Sequence, residues 1–263
     1  MTWYTGNSTY DTVLTAALAL AALVSLTSPF VASPYGRFAS DKWGLAVDPR
    51  LGWFLMELPS TVCFLVFFFQ GPHRFEPVPL AFLAIWLVHY GNRGFFFPLS
   101  MRVPKGGKAS FGMLVLSMGW VVTSLHGYLN GTFASTFAGR DASWFADPRF
   151  LGGLALYGTS LALNIHSDAI VRNLRTREEV AAGTKVYRIP QGGLFRFVSC
   201  PSYLTELTAW AGFALLTWSL AGVFILAVSA ANLLPRVFAT HRWYRERFPD
   251  YPPERKALIP FVL

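Results

Sequence analysis

Charge is what this sequence has least of. Only 14% of its 263 residues are Asp, Glu, Lys or Arg, little more than half the ~25% of an average soluble domain. A soluble globular enzyme is therefore not expected. Cysteine is scarce too. Two of them, Cys63 and Cys200, exclude a disulfide scaffold and a zinc-ribbon site. No GxGxxG or GxxxxGK[ST] run occurs, so any dinucleotide must be held without a Rossmann fold or a P-loop. His73, His89, His126, His166 and His241 are scattered, without HxxxH or Glu-x-x-His spacing, so no metal is expected. No internal repeat, low-complexity stretch or domain boundary is visible. The longest polar segment, 171–201, is too short for a soluble domain of its own, and a single domain over 1–263 is expected.

Apolar residues are what the chain has in abundance. It is 53% hydrophobic and 16% aromatic, with a mean hydropathy of +0.40, which excludes disorder. A membrane-spanning helix needs about 20 mostly apolar residues. Seven runs qualify, at about 12–33, 52–70, 78–99, 111–130, 150–170, 202–218 and 220–239, the last two joined by a short turn near Ser219. The expected fold is all-α and polytopic, with about seven transmembrane helices. The first run follows the uncharged start MTWYTGNSTY, and without a basic n-region it reads as a retained span.

Most of the 22 Lys and Arg fall in four segments. These are Arg37, Lys42 and Arg50; Arg102, Lys105 and Lys108; Arg172, Arg175, Arg177, Lys185, Arg188 and Arg196; and Arg236, Arg242, Arg245, Arg247, Arg255 and Lys256. Seven spans with the N-terminus outside put all four in the cytosol, as the positive-inside rule requires. In so apolar a chain the net charge of +8 marks loops facing anionic lipid or an anionic ligand, not nucleic acid. No obligate protein partner is evident.

Charged groups inside spans are costly and mark function by default. Glu57 and Glu206 lie well within runs, Asp168 at the inner end of one. Counted from the inner side, Glu57 is roughly 9 Å and Tyr90 roughly 13 Å deep at 1.5 Å per residue, so the two can share a layer. A buried carboxyl can orient a phenol that donates to a carbonyl oxygen becoming an enolate. The same pair can equally be structural glue between helices. Farther along, Asn164, Asp168, Arg172 and Arg175 recur at four, four and three, on one helix face. An amide, a carboxylate and two guanidinium groups suit a ribose and phosphates. A solvated juxtamembrane face with basic lipid anchors has the same composition. Gly192 and Gly193 permit a tight turn or close backbone approach, Tyr187 could stack on a planar ring, and Arg236, Thr240 and Tyr244 follow at helical spacing.

The runs NIHSDAIVRNLR, YRIPQGGLFRFVS and HRWYRERFPDYPPERKALIPFVL resemble the C-terminal half of the steroid 5α-reductases (3-oxo-5α-steroid 4-dehydrogenases). PYG at 34–36, WFLMELPS at 53–60 and HYGNR at 89–93 resemble that family's N-terminal half. The resemblance implies a seven-span membrane enzyme that uses NADPH to reduce the C4–C5 double bond of 3-oxo-Δ4 steroids. It implies hydride delivery to C5 while Glu57 and Tyr90 hold the C3 carbonyl. Asn164, Asp168, Arg172, Arg175, Tyr187, Arg188, Ser202, Glu206, Arg236, Thr240 and Tyr244 then fall around the cofactor, and Trp53 and Trp210 form apolar walls for the steroid. The implied pocket lies mainly among the first four helices and the implied cofactor site within 164–263. Three positions depart from the family pattern: Met56 in place of Gln, Ser202 in place of Asn, and Thr240 in place of His, with His241 next. The membrane would be the endoplasmic reticulum in a eukaryote or the inner membrane in a bacterium. Alternatives are a related reductase of polyprenal or trans-2-enoyl lipids, an S-adenosylmethionine-dependent carboxyl methyltransferase that shares the inner C-terminal half, and a lipid-binding membrane protein without activity.

Overall fold

The computed structural model describes residues 4–30, 38, 45–104, 111–184 and 186–263. The PYG segment at 34–36, the end of the first predicted run, and Arg37, Lys42, Lys105, Lys108 and Lys185 lie outside the described residues. Helix α1 covers Ser8–Thr27, capped by the Asn7 side chain on the Tyr10 amide. A short antiparallel pair, β1 Ala46–Val47 and β2 Phe111–Gly112, leads into two neighbouring helices, α2 Pro49–Gln70 and α5 Met113–Thr132. Asp48 and Pro49 start α2, an acceptor for an orphan N–H followed by a residue that has none to satisfy. Between them α3 covers Pro77–Tyr90, opens into a π-helical stretch at Gly91–Phe96, and closes as α4, Phe97–Ser100. A second π-helical stretch, Phe133–Phe137, ends α5.

The polar connection contains more structure than its composition suggests. Helix α6, Pro148–Asn173, is capped by Asp147, and α7, Arg177–Ala181, begins with a reciprocal capping box between Thr176 and Glu179. Then α8, Pro201–Thr217, and α9, Leu220–Arg247, form a hairpin. The turn predicted near Ser219 is made by Trp218 in the left-handed region (φ 50°) and by Ser219, whose hydroxyl caps α9. Helix α9 runs eight residues beyond the predicted end at 239. Arg245 and Arg247 in its last turn complement the negative end of the helix dipole.

Backbones approach closely where side chains are small. A Cβ on Gly127 would stand 2.7 Å from the Ser60 carbonyl oxygen, and one on Gly131 2.5 Å from that of Phe64. These contacts fix α2 and α5 side by side and parallel. Gly153 and Gly212 do the same for antiparallel α6 and α8. Such packing is how helices associate without a hydrophobic driving force between them. The outward faces carry large exposed apolar side chains, among them Leu26, Phe69, Val88, Met118, Val121 and Leu151. An apolar exterior of this extent belongs in lipid.

The protein is thus predominantly α-helical and membrane-embedded. Among the described residues, three helices are long and apolar enough to cross a bilayer by themselves: Ser8–Thr27, Pro49–Gln70 and Leu220–Arg247. The other predicted runs also coincide with helices. However, α3 has only 14 residues before its π stretch, short of the usual length as an uninterrupted α-helix, and α8, with 17, is at its lower limit.

Candidate active site

Glu57, Tyr90, Trp53 and Trp210 line one cavity of about 410 Å3, within the range of small-molecule sites. Its walls come from α1, α2, α3 and the π stretch after it, α5, α8 and α9, so two C-terminal helices enclose it as well as the first four predicted runs. Glu57 is buried on α2. Tyr90 is the last residue of α3 before the π stretch, packed against Trp86 (ring centroids 4.9 Å) and Trp210 (6.4 Å). π-Helical insertions re-aim side chains and recur at functional sites. This one contains Arg93, which the sequence reading left unassigned.

Arg93 joins the cavity to the face of α6. Its Nε lies 4.0 Å from Glu57 Oε1 and its Nη1 3.9 Å from Asp168 Oδ2, while the guanidinium sits over the Trp53 and Phe97 rings. A mid-helix arginine is itself a signal, since so costly a charge in a span needs partners. Ser202 Oγ donates to Asp168 Oδ1 at 2.7 Å. The Asn164 amide donates to the Ser202 carbonyl (2.9 Å), Thr205 Oγ1 (3.1 Å) and Glu206 Oε2 (3.4 Å). Glu206 Oε1 accepts from Trp210 Nε1 at 3.1 Å and lies 3.9 Å from His89 Nε2. Asn164, Asp168, Ser202 and Glu206 thus form one network beside the cavity, with Glu206 in its wall.

The remaining predicted residues sit apart from the cavity. Arg172 Nη1 donates to Ser100 Oγ at 2.9 Å, and Arg175 Nε to the Val186 carbonyl at 3.1 Å. Tyr187 lies between the Arg175 guanidinium (5.6 Å) and Trp243 (5.1 Å). Arg188 pairs with Glu179 at 2.5 Å, a hydrogen-bonded contact that pulls the Glu179 carboxyl down to about 2. Arg236, Thr240 and Tyr244 are buried along one side of α9. His241 instead meets Ser199 Oγ at 2.6 Å, which also contacts the Tyr251 hydroxyl and holds the C-terminal tail. Gly192 and Gly193 both take positive φ, and a Cβ on Gly193 would stand 2.7 Å from the His166 ring.

A family profile described as 3-oxo-5-alpha-steroid 4-dehydrogenase matches residues 109–263. Among similar proteins are rat 3-oxo-5-alpha-steroid 4-dehydrogenase 1, 40% identical over 94% of this chain and 92% of its own length; the human protein of that name, 38% identical over 88% and 86%; and steroid 5-alpha-reductase DET2 of Arabidopsis thaliana, 35% identical over 89% and 88%. The chain belongs to the 3-oxo-5-alpha-steroid 4-dehydrogenase family. It is accordingly a steroid-reductase-like oxidoreductase of the membrane. The profile covers Asn164 through Tyr244, whereas Glu57 and Tyr90 precede it.

Within this family member, two further polar side chains escaped sequence reasoning. His89 and His126 line the cavity and are almost wholly buried. Among the described residues, neither ring nitrogen of His89 nor Nε2 of His126 has a hydrogen-bond partner. No spacing rule reveals either, because each is a lone histidine in an apolar run. Among the described residues, no three His, Cys, Asp or Glu side chains converge as a metal site would require.

Proposed function

We propose that this protein is an NADPH-dependent 3-oxo-Δ4-steroid 5α-reductase. The carrying observation is the placement of Glu57 and Tyr90 on one cavity between Trp53 and Trp210. Flat aromatic walls favour a rigid polycyclic ligand, and the carboxyl and phenol give it a polar end. Tyr90 donates to the C3 carbonyl oxygen and Glu57 orients it, so the phenol stabilises the enolate that forms there. Arg93, shared between Glu57 and Asp168, keeps the Glu57 carboxyl turned along the wall.

The residues fit the cofactor that family membership suggests. Asn164, Asp168 and Glu206 offer amide and carboxylate groups next to the cavity, suited to a carboxamide and ribose hydroxyls. Arg172, Arg175, Tyr187, Arg188, Arg236 and Tyr244 supply cations and aromatic faces for phosphates and adenine. Ser202 and Thr240 stand among them in place of the family's Asn and His. When bound, NADPH supplies hydride to C5. The chain's own part is to hold the ketone, exclude water and admit a proton to C4. Seven membrane helices with the N-terminus outside and the basic segments in the cytosol place those arginines where the soluble cofactor arrives.

The test is direct. The purified chain, given NADPH with testosterone or progesterone, should consume cofactor and release the 5α-dihydro steroid. Turnover of an unsaturated lipid aldehyde or thioester, with none on 3-oxo-Δ4 steroids, would replace this reading with that of a lipid reductase.

A further inference from the structure

We propose that His126 is a second hydrogen-bond donor, beside Tyr90, to the substrate oxygen, acting through its Nε2–H. This inference rests on the functional reading above. Three observations carry it: a tautomer fixed by a neighbour, a buried nitrogen with no partner among the described residues, and a shared level in the bundle.

The tautomer follows from Asn130. Its Nδ2 donates to the carbonyl oxygens of His126 (3.0 Å) and Ala221 (3.3 Å). Carbonyls only accept, so the amide must present its NH2 on this side. The same NH2 lies 3.0 Å from His126 Nδ1, which is thereby an acceptor. The proton of the neutral ring then sits on Nε2. That nitrogen is fully buried and has no hydrogen-bond partner among the described residues. Leaving a buried donor unpaired costs about 1–3 kcal/mol, so such a group calls for a ligand acceptor. Asn130 does not line the cavity whereas His126 does. With Nδ1 held toward Asn130, the Nε2 edge of the ring is the one turned away from it.

The level follows from packing. Gly127 rests on the Ser60 carbonyl, so His126 stands level with the turn of α2 just beyond Glu57. Helix α3 runs antiparallel to α2: Trp86 stacks on Phe64 (4.2 Å), and the Cβ position of Gly94 is 3.5 Å from Glu57 Cβ. Tyr90 lies midway between, in the same layer as His126, their ring centroids 6.0 Å apart. An enolate oxygen has room for more than one donor, and a further donor acts where negative charge develops.

The experiment uses the full chain with NADPH and a 3-oxo-Δ4 steroid. His126→Phe should lower kcat about tenfold or more, with KM and NADPH affinity little changed, because the contact strengthens in the transition state. His126→Gln, which carries an N–H near the Nε2 position, should recover most of the rate. The infrared C=O stretch of the bound ketone should rise in the Phe variant and return in the Gln variant. His126→Met, flexible and without a donor, serves if the Phe variant fails to fold. Undiminished kcat and an unshifted stretch in the donor-less variants would overturn the assignment of His126. The N–H would then point at the face of Trp210, whose ring lies at 89° to it and 5.0 Å away. Absence of turnover by the wild type on every 3-oxo-Δ4 steroid would instead overturn the functional reading, and this inference with it.

Discussion

The guanidinium of Arg93 stands 4.0 Å from the carboxylate of Glu57. It is also 3.9 Å from Asp168, so one cation ties the proposed ketone-holding group to the proposed cofactor face. Removing it leaves two partly buried carboxylates unneutralised. Arg93→Met should therefore destabilise the protein by about 3 kcal/mol, read as a lower unfolding temperature in detergent, and should also reduce turnover. An unaltered unfolding temperature would show that neither carboxylate relies on this arginine.

Glu57→Gln and Tyr90→Phe keep the shape of the cavity and remove the acid and the phenol. Each should cut kcat by about 10²–10³-fold while NADPH binding, followed by fluorescence, stays intact. Lost cofactor affinity with unimpaired chemistry would move both residues out of the ketone-holding role.

Arg172→Ala and Arg175→Ala should weaken NADPH more than NADH, because a guanidinium is suited to bidentate contact with the 2′-phosphate. Titration with both cofactors checks this. Equal weakening would place these arginines on phosphates common to the two, or on the bilayer.

The main helices were legible because long apolar runs dominate the sequence, and Asn164, Asp168 and Arg172 share α6 as their spacing of four predicts, whereas Arg175, read onto the same face, lies beyond the helix, which ends at Asn173. The rest depended on contacts between distant segments. Nothing in HYGNR announces that the helix widens at Gly91 and carries Arg93 to Asp168, a residue of another helix. The tautomer of His126 depends on Asn130 and on the Ala221 carbonyl, which no single-helix pattern connects. The capping box of α7 lay within a stretch read only as polar, although Thr176 and Glu179 have the required spacing. Arg188 was assigned by resemblance alone, and its ion pair with Glu179 is a contact between a short helix and the loop beyond it.

That ion pair has a pH dependence with a definite sign. Arg188 lowers the Glu179 carboxyl from 4.5 to about 2 in the folded protein. A depressed carboxyl contributes stability that is present above the unfolded value and lost as pH falls through the folded one. The segment around α7 should hold from neutral pH to about 4.5 and loosen between 4.5 and about 2. The protection of the amides at 176–184, relative to their intrinsic exchange rates at each pH, should fall over that window in the wild type. Glu179→Gln should exchange faster already at neutral pH, with a flatter profile.

Packing of α2 against α5 gives a further check. A methyl group at Gly131 would stand 2.5 Å from the Phe64 carbonyl oxygen. Backbone cannot yield as a side chain would, so Gly131→Ala should cost about 1–3 kcal/mol, seen in denaturant unfolding. Gly91→Ala, where no atom of the described residues beyond the local helix backbone lies within 4 Å of the new Cβ, is the matched control and should be close to neutral.

The reduction itself is tested most directly by following the label from NADPH deuterated at the transferable C4 position. Incubated with a 3-oxo-Δ4 steroid, the wild-type chain should yield the 5α-dihydro product with one deuterium, at C5, and Glu57→Gln should yield almost none. No reduced steroid, or deuterium at any other carbon, would contradict the account.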